Sequence, residues 1–353
     1  MARILKSTRC SLRNMVLILT NTRDDSAGPV VDQLRSMNQP FVRFDTEKFP
    51  EEDLISIRLD GEYKTGSITC SGVEVDIASI KSIWWRRPTK ARLQYDTHPG
   101  YMEFIRDESE IALWSFYSLF SDVFWMNHPL VGSRLLEHNK LYQLKIASML
   151  GLKTPRTLVT NNPLDVLTFV KKEGKAAAIK ILKGNFFSRE REEENLFVFT
   201  QQITEDVVKT HFDELRMAPV MIQEYVQKAI ELRVTIVGEK VFTCAIHSQG
   251  SERTKDDWRR YDFANVKHEI HVLPAEIQEK LIALLKFWGL TYGACDLILT
   301  PSGEYVFLEI NANGQWYWIE QLTGMPIAKT IAEALSKPPM HPSITLSPTP
   351  FSP

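Results

Sequence analysis

The 353 residues, 44% of them apolar, are enough for two or three lobes with cores of their own. With 42 basic and 44 acidic side chains the formal charge is −2, which excludes the bulk field that would hold nucleic acid or an anionic membrane. No apolar run reaches the roughly 18 residues of a membrane span, and Cys10, Cys70, Cys244 and Cys295 form no CxxC pair, as suits a reducing cytoplasm.

Residues 1–14 carry four Arg/Lys and no acid but lack the apolar stretch of a secretory signal, so a disordered extension is expected there. Residues 16–20 read as a buried strand, 29–37 as an amphipathic helix and 41–44 as a second strand, a βαβ-like opening without a GxGxxG turn. Alternating residues between 54 and 85, with turns at Asp60-Gly61 and Ser71-Gly72, predict strands and hairpins. The first lobe is thus 15–125. Helical spacing over 133–150, capped by Ser133 and stopped by Gly151, opens a central lobe, 126–220. It continues with a helix at 163–172, a strand at 176–181, an acidic loop and a strand near 220–224. The last lobe, 221–338, has predicted strands at 232–237, 240–247, 294–299 and 306–311 and a helix at 274–288. A Pro/Ser-rich tail, 339–353, is expected to be flexible.

The strongest chemical signal lies in the last two strands. If their turn centres between Ser302 and Gly303, Asp296 falls opposite Glu309, and Asn311 shares the face of Glu309. Val306, Leu308 and Ile310 then point into a core. Two half-buried carboxylates side by side call for a cation, and Mg²⁺ suits a few protein oxygens completed by phosphate and water. A salt-bridged surface hairpin is the alternative. The second signal is Met221-Ile-Gln-Glu-Tyr-Val226 followed by Glu231-Leu-Arg233, a strand that breaks and resumes. Such a break exposes a main-chain donor and acceptor for an adenine edge, and Glu231 could accept ribose hydroxyls. By itself this pattern is common. Lys180, in the apolar strand AAAIKIL, would need an anion, whereas Lys140 on its helix could equally be solvated. No Walker A sequence occurs.

These parts, in this order, resemble the ATP-grasp superfamily, and within it the graspetide synthetases that make microviridin-type peptides. The resemblance runs from about Met15 to Leu335. It is carried by Ile83-Trp-Trp-Arg-Arg-Pro88, Asn139-Lys140 with Gln143-Leu144, Gly151-Leu152 with Thr154-Pro155-Arg156-Thr157, Gln223-Glu-Tyr-Val226, Asp257-Trp-Arg-Arg-Tyr-Asp262 and Leu308-Glu-Ile-Asn-Ala-Asn-Gly-Gln-Trp316. It implies the ATP-grasp fold, an α+β or α/β architecture with an N-terminal βαβ-like pre-ATP-grasp lobe, a central lobe and a C-terminal lobe. It also implies ATP and Mg²⁺ as cofactors. Lys140 and Lys180 would contact phosphates, Gln223, Glu224, Tyr225 and Val226 the adenine side, Glu231 the ribose, and Asp296, Glu309 and Asn311 the metal. Arg233, Arg259 and Arg260 would steady the reacting carboxylate or phosphoryl group, although a solvated basic turn is the alternative for the last two.

The implied reaction phosphorylates an Asp or Glu side chain of a ribosomal precursor peptide, leader plus core, and a Ser/Thr hydroxyl or Lys amine then closes an ester or amide ring. A homodimer is left open. Two other readings remain: an ATP-grasp carboxylate–amine ligase extending an amino acid or protein tail, and a non-catalytic ATP-binding scaffold or regulatory protein. Trp84-Trp85-Arg86-Arg87-Pro88 reads as a substrate surface or an interlobe contact, and Arg189-Glu-Arg-Glu-Glu-Glu194 as a solvated loop or a leader contact.

Overall fold

The run Met15–Thr20 is buried along its whole length, as expected of a parallel strand covered on both faces. In this computed structural model, which describes residues 8–10, 14–61, 63–94, 98–129, 139–173, 177–182, 186–188, 195–197, 199–260, 262 and 264–338, it pairs in parallel with Phe41–Asp45 and Ile80–Trp85. Ile80–Trp85 in turn pairs with Phe124–Met126. Alternation along the strand divides its side chains between two cores. Met15, Leu17 and Leu19 pack with Leu113, Phe116 and Tyr117 of the helix Pro99–Ser118 and with Ile68 and Val75 of a second sheet. Val16 and Ile18 pack with the helix Ala27–Ser36 and with Ile327, Ile331 and Leu335 of the helix Ile327–Ser336. The first and last lobes therefore share one core. Ile331 is fully buried there, so Ile331→Ala is expected to cost about 2–5 kcal/mol in denaturant unfolding; a loss below about 1 kcal/mol would show the shared core to be loose.

The second N-terminal sheet has the order Thr8–Cys10, Val73–Asp76, Tyr63–Cys70, Leu54–Asp60. Ser71 and Gly72 both take positive φ, the geometry of a tight hairpin turn. Thr8–Cys10 lies in the segment expected to be disordered and instead runs parallel to Val73–Val75; residues 1–7 and 11–13 of that segment lie outside the described residues.

A four-stranded antiparallel sheet, in the order Gln201–Ile203, Ala177–Lys180, Val220–Glu224, Thr157–Thr160, forms a central layer over Val166, Val170 and Val208. The last sheet has the order His268–Ile270, Lys240–Ile246, Ile230–Val237, Tyr292–Leu299, Tyr305–Asn311, and is backed by the helix Ala275–Phe287. The helix Lys140–Met149, grouped with the central lobe on sequence, packs against this last sheet through Leu144, Ile146 and Ala147. Its cap is Asn139, whose side chain accepts from the Tyr142 N–H; Ser133 lies outside the described residues, as do 189–194 and 339–353. Among the described residues no helix is long and apolar enough to cross a membrane.

Candidate active site

Three neighbouring strands bring three charges into one row. Arg233 on Ile230–Val237 stands opposite Asp296 on Tyr292–Leu299, which stands opposite Glu309 on Tyr305–Asn311. The last pairing is the one expected, although Leu299 opposite Tyr305 and Leu297 opposite Phe307 centre the turn on Ser302 rather than between Ser302 and Gly303. A β-bulge between Asp296 and Leu297 adds a residue on the opposing strand, however. Phe307 therefore takes a core position with Ile310, and Leu308, expected in the core, lines the cleft beside Glu309. Ala294 pairs with Asn311, which keeps Asn311 on the Glu309 face.

The side chains form a dense ionic network. Arg233 Nη1 donates to Asp296 Oδ1 at 2.9 Å. Glu309 Oε1 accepts from Arg259 Nη1 at 3.3 Å, and its Oε2 lies 3.5 Å from Lys140 Nζ. Asp257 grips Arg259 in a fork, Nε to Oδ1 at 2.8 Å and Nη2 to Oδ2 at 2.9 Å, and also accepts the Thr200 N–H. Burial pushes Glu309 upward, but Lys140, Arg259, Lys180 and Arg233 overcome it and hold the carboxyl well below its ordinary range. Burial raises Asp296 above its ordinary range; Arg233 opposes this and the charge of Glu309 reinforces it. Enclosure likewise pushes the Lys180 ammonium down to about 8, with Glu309 acting the other way. Among the described residues the Lys180 ammonium has no hydrogen-bond or salt-bridge partner.

The break between Val220–Glu224 and Ile230–Val237 forms the other end of the site. The Glu224 N–H is bonded to Arg156 O and its carboxylate to Arg156 Nε, so Tyr225 and Val226 supply the remaining wall. Buried Gln223 donates to Thr157 Oγ1 at 2.9 Å. Glu231 is buried, and its Oε1 accepts from Lys228 Nζ at 3.0 Å and Ser248 Oγ at 2.8 Å. The Tyr225 hydroxyl donates to Asp256 Oδ1 at 3.0 Å.

Between the two ends lies a cleft whose walls include Lys180, Gln223, Glu224, Tyr225, Val226, Glu231, Arg259, Asp296 and Glu309. Lys140 reaches it through an adjoining cavity that it shares with Lys180, Arg259 and Glu309. Arg233 lies behind Asp296, between it and Gln315. Arg260 and Asn311 are not on the cleft wall: Arg260 stacks over Phe199, and Asn311 accepts from the Asn313 N–H. Among the described residues no group of three or more His, Cys, Asp and Glu side chains gathers around a point. The cleft wall offers two carboxylates, with the Asn311 amide on the same strand face, and burial together with the charge of Glu309 disfavours an ionised Asp296 in spite of Arg233; an all-oxygen donor set that a further cation would stabilise fits Mg²⁺ better than a softer ion.

Comparison with known proteins identifies the family. The RimK-like ATP-grasp domain model matches residues 137–335, and the MvdD pre-ATP grasp domain model matches 15–130. The macrocyclase MdnC of Microcystis aeruginosa, solved bound to the precursor peptide MdnA, is 30% identical over 91% of this chain and 99% of that one, with a TM-score of 0.77. The chain belongs to the ATP-grasp superfamily and, within it, to the graspetide synthetases. A Chryseobacterium gregarium RiPP-associated ATP-grasp ligase, solved with ADP and a leader and core peptide, is 29% identical over 91% of this chain and 96% of its own, with a TM-score of 0.83. A curated relative from Shewanella amazonensis, "Probable alpha-L-glutamate ligase 2", is 29% identical over 206 residues, 56% of this chain and 63% of that protein. The chain thus spans less than two thirds of that relative's length.

Several side chains of this ATP-grasp cleft were missed on sequence. Asp256, Asp257 and Trp258 enter it on a loop, and only the Asp257-to-Asp262 phrase marked that loop at all. The Lys228 side chain is buried and also donates to Lys255 O and Asp256 O, which ties the strand break to the same loop. Nothing in its local sequence distinguishes it from a solvated lysine.

Proposed function

We propose that this chain is an ATP- and Mg²⁺-dependent macrocyclase that phosphorylates Asp or Glu side chains of a ribosomal precursor peptide and joins them to Ser/Thr hydroxyls or Lys amines. The observation that carries the reading is the convergence of Lys140, Lys180 and Arg259 on Glu309 at one end of a cleft whose other end is the strand break at Tyr225 and Val226. The full-length likeness to MdnC supports the choice of a peptide as substrate.

In this reading the adenine rests against the strand break, the ribose meets Glu231, and Lys140, Lys180 and Arg259 take phosphate oxygens. Asp296, Glu309 and Asn311 would hold Mg²⁺, which supplies charge neutralisation as the phosphoryl group moves. Arg259, on the cleft wall, offers a fork to the peptide carboxylate, with Arg260 beside it in the chain but off that wall. The amine or hydroxyl then displaces phosphate from the activated carboxyl carbon. Buried free thiols at Cys70, Cys244 and Cys295 fit work in a reducing cytoplasm.

The test is intact-mass spectrometry with MgATP and a precursor peptide encoded near this gene, its tail carrying Thr/Ser or Lys among Asp/Glu. The product should lose one water per ring. A product that gains mass by added glutamyl residues would favour the second reading, a tail-extending ligase, to which the Shewanella relative points.

A further inference from the structure

Arg86 emerges from the end of the strand Ile80–Trp85 in the first lobe, yet its side chain is 1% exposed and reaches into the last lobe. Its Nε meets Asp24 Oδ2 at 3.2 Å, the one carboxylate it pairs with among the described residues. Its remaining donors go to the loop that follows Tyr305–Asn311. Nη1 donates to Asn313 O and Gly314 O, both at 3.3 Å, and Nη2 donates to Gln315 Oε1, which also accepts from Ser26 Oγ at 2.8 Å. The other side of that loop touches the candidate active site. Gln315 O accepts from Arg233 Nη2 at 3.1 Å, and Gly314 O accepts from the Tyr292 hydroxyl at 2.6 Å. Gly314 leaves no slack, since a Cβ there would lie 2.4 Å from Ala294 Cβ and 2.5 Å from Arg233 Nη2.

We propose that Arg86 is a positioning residue for phosphoryl transfer: by fixing the backbone of 313–315 it holds the Arg233 guanidinium, through Gln315 O, in register with Asp296. The inference rests on the reading of the cleft given above. The ion pair with Asp24 stays within the first lobe, so what Arg86 contributes across the junction is its planar fork, spent on the main chain and the amide of one loop. Lysine can keep the charge beside Asp24 but cannot reproduce the fork.

The experiment compares Arg86→Lys with wild type and with Ile331→Ala, which weakens the same lobe junction without touching the loop. Arg86→Lys should lower kcat about ten- to a hundredfold, the scale of a small misplacement of a reacting group, with any rise in the KM for ATP confined to what Mg²⁺ contributes, so that affinity for metal-free ADP stays within about threefold of wild type. Ile331→Ala should keep its kcat although it unfolds more readily. As a readout independent of turnover, calorimetry of ADP with and without Mg²⁺ should show that Arg86→Lys loses most of the affinity that Mg²⁺ adds in wild type. Equal kcat in Arg86→Lys and wild type, or an equal loss in Ile331→Ala, overturns the proposal. If Arg86→Lys does not fold, Gln315→Met, which removes the acceptor of Nη2, must show the same kcat loss, and full activity there overturns it. If wild type gains ADP affinity from Mg²⁺ and Arg86→Lys does not, while neither cyclises any peptide, the positioning stands and the cyclase reading falls.

Discussion

Glu309→Gln is expected to stop ring formation while leaving the fold intact. Glutamine keeps an oxygen for Arg259 Nη1 but removes the charge around which Lys140, Arg259 and Lys180 are gathered. Loss of a main electrostatic stabiliser of phosphoryl transfer should slow turnover by about 10²–10³-fold or more. Binding separates this cause from simple damage. Without Mg²⁺, ADP should bind the variant at least as well as wild type, because one negative charge facing the phosphates has gone; with Mg²⁺, the variant should gain less affinity. Normal cyclisation by Glu309→Gln, or an unchanged response to Mg²⁺, would remove Glu309 from the metal face.

Lys180→Ala should be the second most damaging change, and should fall on nucleotide affinity. A charge-assisted hydrogen bond contributes about 1.5–3 kcal/mol, so the KM for ATP should rise roughly ten- to a hundredfold. Lys140→Ala should do less, since Lys140 already meets Glu309 and donates to Ile181 O at 3.3 Å. There is a pH signature. With its ordinary value lowered to about 8 by enclosure, the Lys180 ammonium loses its proton as pH rises through that value, whereas a bound triphosphate favours the charged form. Wild-type ATP affinity should therefore fall between about pH 7.5 and 9.5, and the Lys180→Ala variant should lack that part of the fall. A larger effect at Lys140, or the same pH profile in both proteins, would contradict this assignment.

What the sequence made legible was what depends on local pattern. The hairpin that sets Asp296 beside Glu309 followed from the two-residue period, although its turn centres on Ser302 and the bulge completes the pairing, and the strand break at 225–229 followed from an apolar run that stops and resumes. The bulge that turns Leu308 toward the cleft was not legible, because no glycine or proline marks it. The helix Pro99–Ser118 was also missed, since exposed Tyr101, Phe104 and Ile111 blur its apolar stripe. Longer-range features leave weaker traces. Lys228 reads as any solvated lysine until the loop 255–257 closes over it, and Arg86 is one of two adjacent arginines until the fold buries it against 313–315.

The central claim is that the cleft activates a peptide carboxylate by phosphorylating it, and isotope tracing tests that step itself. A precursor peptide whose Asp and Glu side chains carry heavy oxygen in both carboxylate positions is incubated with the protein and unlabelled MgATP, and the inorganic phosphate released is analysed by mass spectrometry. Displacement of phosphate from an acyl phosphate leaves one carboxylate oxygen on the phosphorus, so the account predicts one heavy oxygen in phosphate for each ring closed, with ADP formed in equal amount. Rings closing while the phosphate stays unlabelled, or label appearing in AMP, would contradict it.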